Sequence, residues 1–383
     1  MHDTLPDTRL NKPVLGVEPS RVRVTYRVRS EASAIEVRAQ AIAIEQSVEL
    51  PVEAIHDARI LSDIVGHVAG ITEVAQTCFD VQIGLSCETM PPEPGQLLNM
   101  LFGNTSLLDD VTLLDVDFPP SYLASFGGPT VGLGGLRQRL GAADRALTAT
   151  ALKPQGLPPH ALAEIAHAAA LGGIDIIKDD HGLADQSYSR FAERVVACAK
   201  AVAVANKSTG RTCAYAPSLS GSLDQLRAQI RIAHDEGVHT VLIAPMVVGL
   251  ASFHALAREA PDVALLAHPS MAGACRIAPP LLLGRMFRML GADATIFPNY
   301  GGRFSFSQAM CREIASAAIS PWGDLGVCVP APAGGMSLER IPEMLDVYGT
   351  DCMLLIGGGL LSAPAGITSA AQAFAMKVAD HAK

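Results

Sequence analysis

The chain has 383 residues, enough for one large domain plus a smaller one with ample core. Hydrophobic residues make up 49% and charged residues 17%, which excludes a largely disordered chain. The formal net charge of −9, without Lys/Arg-rich runs, argues against nucleic acid or an anionic membrane as partner, and no uncharged run reaches the ~18–20 residues of a membrane span.

Eight cysteines are scattered without a Cys-x-x-Cys pair, as in the reduced thiols of a cytoplasmic protein. Residues 1–20 read as a loose, polar arm with three prolines and no apolar signal core. From Arg21 the alternation Val22-Arg23-Val24-Thr25-Tyr26-Arg27-Val28 predicts a half-exposed antiparallel strand. Helical spacing over 33–42 and alternating segments near 71–77 and 80–87 complete a small α+β domain, 21–125. After Phe126-Gly127-Gly128-Pro129 the pattern changes, and a second domain, 126–383, begins. Strands are expected near 148–152, 174–180, 211–217, 240–245, 264–268, 294–299, 326–331 and 353–358. Helices fit the gaps at 159–171, 187–204, 222–236, 281–290, 338–347 and 365–380. Eight strand–helix units in roughly 235 residues predict an α/β fold with a (β/α)8 TIM barrel, and a doubly wound sheet is the competing arrangement.

Polar and glycine residues gather at the predicted C-terminal ends of the strands, where barrel enzymes carry their sites. Gly172 to His181 is the most informative stretch: an apolar run ends in Lys178, Asp179, Asp180 and His181. Side chains alternate along a strand, so Lys178 and Asp180 share a face, and His181 can turn toward the same point. Carbamylation of Lys178 would give an oxygen ligand that, with Asp180, suits Mg2+, while His181 moves preference toward other divalent metals. The same residues also read as an ion pair at the barrel mouth with His181 merely exposed. Lys153, before Pro154, fits a general acid or a charge that holds an enolate or carboxylate; a structural ion pair accounts for it equally. Gly334-Gly335 and Gly357-Gly358-Gly359 follow the last two strands, where backbone amides can cradle phosphate, although glycine pairs also serve tight turns. Arg303, on a Gly-rich loop, suits closure over an anionic substrate or plain solvation. His268 reads as a ligand-binding or proton-handling residue, or as a hydrogen-bonded core histidine.

In this order the positions resemble the RuBisCO large-chain superfamily, and more closely its RuBisCO-like proteins, which do not fix CO2. The resemblance rests on Phe118-Pro119-Pro120-Ser121-Tyr122, Leu152-Lys153-Pro154, Gly172–His181 and the two glycine sets. It implies a carbamylated Lys178, with Lys178, Asp180 and His181 around Mg2+ or another divalent metal. It also implies phosphate at Gly334, Gly335, Gly357 and Gly358, and at least a homodimer in which Glu45 and Asn104 reach a neighbour's active site. The departures matter as much. His181 stands where RuBisCO has an acidic ligand, Gln155 replaces a lysine, and Pro269 follows His268 where an arginine is expected. Phe297, as aligned, replaces a histidine and Ala333 a serine. Arginine, histidine and serine together serve one end of a bisphosphate in RuBisCO, so the expectation is a non-carboxylating enzyme for a substrate with one phosphate and a more apolar or differently polar far end. The leading expectation is decarboxylation or hydrolytic C–C cleavage of a sugar acid of the 3-oxo-isoapionate 4-phosphate type. An enolase or isomerase of methylthio-sugar phosphates comes second, and a non-catalytic phosphate-ligand-binding protein is the reading from another class.

Overall fold

The computed structural model describes residues 20–381, so the 1–20 arm lies, apart from Ser20, outside the described residues. The chain divides into two compact units. In the first, β1 (Arg21–Arg29), α1 (Ile35–Glu45), β2 (His67–Ala75), β3 (Cys78–Ser86), α2 (Pro94–Phe102), β4 (Val111–Asp117) and α3 (Pro120–Ala124) follow in chain order. The strands form one antiparallel sheet in the order β2-β3-β1-β4. β1 alternates as its sequence demands: Val22, Val24, Tyr26 and Val28 are fully buried while Arg27 pairs with Asp80 across the sheet at 2.8 Å. Buried Tyr26 donates its hydroxyl proton to the Leu101 carbonyl at 2.6 Å. β2 begins four residues before its expected position because it is mostly exposed and carries little apolar alternation. β4 was not anticipated: its register against β1 slips between Thr25 and Tyr26, and the bulge breaks the period of two.

The second unit opens with α4 (Gly132–Leu140). It continues with β5 (Leu147–Leu152), α5 (Pro159–Leu171), β6 (Ile176–Asp179), α6 (Phe191–Thr209), β7 (Ala214–Ala216), α7 (Leu223–Asp235), β8 (Thr240–Ile243), α8 (Pro245–Val248), α9 (Leu250–Glu259) and β9 (Ala264–Ala267). It ends with α10 (Phe287–Met289), β10 (Ala294–Pro298), α11 (Gln308–Ile319), β11 (Val329–Ala333), α12 (Ile341–Tyr348), β12 (Met353–Ile356), α13 (Gly358–Leu361) and α14 (Ile367–His381). The eight strands are parallel, in the order β7-β6-β5-β12-β11-β10-β9-β8. The two free edges meet where Leu219 N donates to Leu242 O and Leu242 N to Pro217 O, at 2.8 and 2.9 Å. That closure is a (β/α)8 barrel and excludes the doubly wound sheet.

The barrel is filled, not hollow. Leu147, Ala149, Ile176, Ala216, Leu242, Leu266, Ile296, Ala331 and Leu355 form its interior, and Leu133, Leu136 and Leu140 of α4 pack against its N-terminal end. Buried Asp293 fastens this plug by accepting from the amides of Val131, Gly132 and Leu265 at 2.7–2.8 Å. The expected helix 281–290 begins as a π-helix, Pro280–Met286, before α10. β11 sits about three residues beyond its predicted place. Its Pro330 and Pro332 cannot donate, and its pairing with β12 is reduced to one register pair. Among the described residues no helix is long and apolar enough to cross a membrane.

Candidate active site

Parallel strands deliver their C-terminal ends to one rim of the barrel. Lys153 follows β5, Lys178, Asp180 and His181 end β6 or follow it, and His268 follows β9. Alternation turns Lys178 and Asp180 one way, both nearly fully buried, and Asp179 the other. The Lys153 ammonium contacts Asp180 Oδ2, and His181 Nδ1 lies 3.0 Å from Asp180 Oδ1. The His181 ring stacks on His268 with centroids 4.3 Å apart and planes 7° from parallel. Lys178 Nζ donates to the Asp179 carbonyl at 3.1 Å. The structure thus brings Lys153, Asp180, His181 and His268 into direct contact.

The electrostatics follow from burial and crowded positive charge. Burial, then neighbouring Lys153, pushes the Lys178 ammonium down to about 7 against the opposing pull of Asp179. Burial and Arg303 lower Lys153, while its contact with Asp180 acts in the other direction. Burial, Lys178, Lys153 and Arg303 lower His181. His268 is driven to about 2, by burial first, and stays neutral. Its tautomer is set: the Ser270 amide donates to His268 Nδ1 at 3.2 Å, which leaves the proton on Nε2. Arg303 lies over the Phe304 ring at 4.9 Å, with its charge felt at Lys153 and His181.

The glycine loops are shaped for close approach. Gly334 and Gly335 have φ of 96° and 64°, and a Cβ on Gly335 would fall 2.9 Å from the Gly301 carbonyl. The loops after β10 and β11 therefore pack backbone on backbone, held by Arg340, which donates to Tyr300 O and Gly335 O at 3.2 and 3.0 Å. Gly357 and Gly358, at the opening of α13, differ: a Cβ on either meets nothing within 4 Å, so the space beside both is open. Glu45 and Asn104 belong to the other unit, where Asn104 Nδ2 donates to Glu45 Oε1 at 2.9 Å and to Glu49 Oε1 at 3.2 Å, with Glu45 half-buried and the other two exposed.

One alignment needs correction. Phe297 faces the helix layer, edge-on to Tyr348 at 6.1 Å, so it does not stand in for a histidine that faces ligand. Its neighbour Ile296 faces the interior, and the position is apolar either way. Sequence reasoning also missed the groups behind β6. Fully buried Asp179 accepts from Arg194 Nε at 2.9 Å, the Tyr215 hydroxyl at 2.7 Å and the Ser218 amide at 3.0 Å. One signal was available for Arg194: it shares the buried face of α6 with Phe191, Val195 and Cys198. Ser270 and Arg340 carried none, since their roles depend on loop geometry.

The model of the ribulose bisphosphate carboxylase large chain catalytic domain matches residues 132–383. The chain belongs to the RuBisCO large-chain family. Within it, the chain is a RuBisCO-like protein that does not carboxylate. It is 57% identical to a 5-methylthioribulose-1-phosphate isomerase of Rhodospirillum rubrum over 94% of this chain and 97% of that one. It is 30% identical to a 2,3-diketo-5-methylthiopentyl-1-phosphate enolase of Geobacillus thermodenitrificans, over 81% of this chain and 80% of that one. Among solved structures, a RuBisCO-like protein from Rhodopseudomonas palustris aligns with TM-score 0.89 at 54% identity, covering 95% of this chain and 99% of that one. These likenesses support an enzyme of the RuBisCO-like family acting in sugar-phosphate metabolism.

RuBisCO-like sites imply a divalent metal, and the residues present fit one. Asp180 offers a buried carboxylate and His181 a neutral imidazole at the same point, beside a lysine whose charge is disfavoured.

Proposed function

We propose that this RuBisCO-like protein isomerises a methylthio-pentulose 1-phosphate. One observation carries the reading: the rim keeps open space beside Gly357 and Gly358, while Pro269, Ile296 and Ala333 are apolar at the positions compared with the polar groups that serve a second phosphate in RuBisCO. A substrate with phosphate at one end and a methylthio group at the other matches that asymmetry. The 57% identical relative acts, by its name, on such a compound, and this moves preference away from decarboxylation, the leading sequence expectation.

In this reading the amides of Gly334, Gly335, Gly357 and Gly358 bind the phosphate, and Arg303 closes over the charged end. Lys178 carries a carbamate: an amine pushed down to about 7 is substantially neutral at physiological pH and open to CO2. Lys178, Asp180 and His181 then hold a divalent cation, Mg2+ in the family pattern or a softer metal because of His181. When bound, that cation supplies charge that stabilises the developing enediolate. Lys153, in its neutral form, takes the proton from the carbon beside the carbonyl and returns it to the former carbonyl carbon, while the hydroxyl proton passes from the second enediol oxygen to the first, which shifts the carbonyl along the chain. His268, neutral with its proton on Nε2, donates a hydrogen bond to substrate oxygen and exchanges no proton itself. We also propose a division of labour at the 125/126 boundary and a homodimer in which Glu45 and Asn104 of one subunit serve the barrel of the other.

The test is a substrate panel followed by NMR: 5-methylthioribulose 1-phosphate, a diketo-methylthiopentyl phosphate and 3-oxo-isoapionate 4-phosphate, each with Mg2+ and bicarbonate. Isomerisation of the first is the expected result. Turnover of the second alone would make the protein an enolase, CO2 release from the third would restore the lyase reading, and binding of all three without turnover would mean a phosphate-binding protein.

A further inference from the structure

At the N-terminal end of the barrel, away from the rim that carries Lys178, three side chains converge that the proposed chemistry does not use. His234 lies in the last turn of α7, His239 just before β8 and Asp262 just before β9. Asp262 Oδ2 is 3.4 Å from His239 Nδ1 and 3.8 Å from His234 Nε2, and the three ligand atoms all lie within 4.8 Å of one another. The two imidazoles meet edge to face, centroids 5.2 Å apart. A tetrahedral centre with ligands at about 2.0–2.1 Å separates its donors by about 3.3 Å, close to the 3.4 Å between Asp262 and His239, and the 3.8 Å between Asp262 and His234 needs a small side-chain adjustment. The fold sets this spacing. Gly237, at φ 70°, turns the chain so that His234 and His239 sit side by side, and the Ala264 amide donates to His239 O at 2.8 Å, which holds the entrances of β8 and β9 together. A cavity of about 520 Å³, lined by His239, Asp262, Glu236 and Arg139 among others, opens beside the cluster. It leaves room for water to complete the coordination.

We propose that His234, His239 and Asp262 form a second metal site, for a borderline transition cation such as Zn2+, Co2+ or Ni2+. Two imidazoles and one carboxylate are the donor set such ions prefer and Mg2+ does not. Its role is structural: the ion fastens the end of α7 to the entrances of β8 and β9.

The decisive experiment is calorimetric titration of untagged, chelator-stripped protein with ZnCl2, in a Lys178→Ala background that disables the rim site. The Lys178→Ala protein takes up Zn2+ and its melting temperature rises. Adding His234→Ala and His239→Ala removes one bound equivalent, or weakens it by at least about tenfold, and abolishes the melting shift. His234 and His239 are exposed, so replacing them leaves the fold of the Lys178→Ala protein unchanged, which circular dichroism checks. Co2+ in place of Zn2+ gives a visible absorption band that the triple variant lacks. Failure of the Lys178→Ala protein to bind Zn2+, or equal uptake after both imidazoles are removed, would overturn the proposal.

Discussion

Asp179 sits one residue from the two groups that face the rim, and it governs where they point. Its carboxylate and Arg194 are both fully buried, so Asp179→Ala strands a guanidinium without its counter-charge and should cost about 3–5 kcal/mol in denaturant unfolding. A loss below about 1 kcal/mol would mean that water reaches Arg194. Lys178 adds a pH signature. Its folded-state value, about 7, lies below the ordinary 10.5, so between those limits the unfolded chain binds more protons and stability rises with pH. That contribution is complete above about 10.5 and is lost as pH falls through about 7. In CO2-free buffer the stability difference between wild type and Lys178→Met should vary over this window, and a constant difference would contradict the burial argument. The convergence of Lys178 and Asp180 was legible because a strand allows only two directions. Arg194 was legible only as a residue on the buried face of α6, and its pairing with Asp179, like those of Tyr215 and Ser270, was not, because the partners lie 15, 36 and two residues away in arrangements that periodicity does not encode.

Elements decide how exposed the phosphate cradle is. A Cβ on Gly358 meets nothing, and its φ is not left-handed, so Gly358→Ala should leave the melting temperature unchanged or slightly raised. The methyl group occupies the space where the phosphate would lie, so KM should rise by roughly tenfold or more, the worth of a hydrogen bond to a charged group. Gly335→Ala is the contrasting case: its Cβ strikes the Gly301 carbonyl at a positive φ, so stability and KM should both suffer. If Gly358→Ala destabilises without touching KM, the loop is a turn and no more. All eight barrel strands were readable as short apolar runs, since a parallel sheet buried on both faces needs them. β11 was misplaced because its prolines look like strand breakers, and β4 was missed because a bulge disturbs its alternation.

At the scale of the whole molecule the barrel is a closed, filled ring with α4 against its N-terminal end, and its working groups gather at the C-terminal rim. The family architecture was visible in the order of motifs, but the substrate was not. The replacements Pro269 and Ala333 say what was lost at one end of the pocket, and no residue names what arrived. The proposed assembly makes its own prediction. Sedimentation should give a dimer or a multiple of one, and mixed refolding of inactive Lys178→Ala and Glu45→Gln proteins should restore partial activity through hybrid sites. An active monomer would end that part of the account. The central claim is enediolate chemistry on a methylthio-ketose phosphate at the Lys178–Asp180–His181 site. It is tested most directly by incubating the protein with 5-methylthioribulose 1-phosphate in D2O and following the carbons beside the carbonyl by NMR. The account predicts an isomeric ketose phosphate carrying solvent deuterium, with both signals absent in Lys178→Ala. Unchanged substrate without deuterium exchange, from wild-type protein shown to hold its metal, would contradict it.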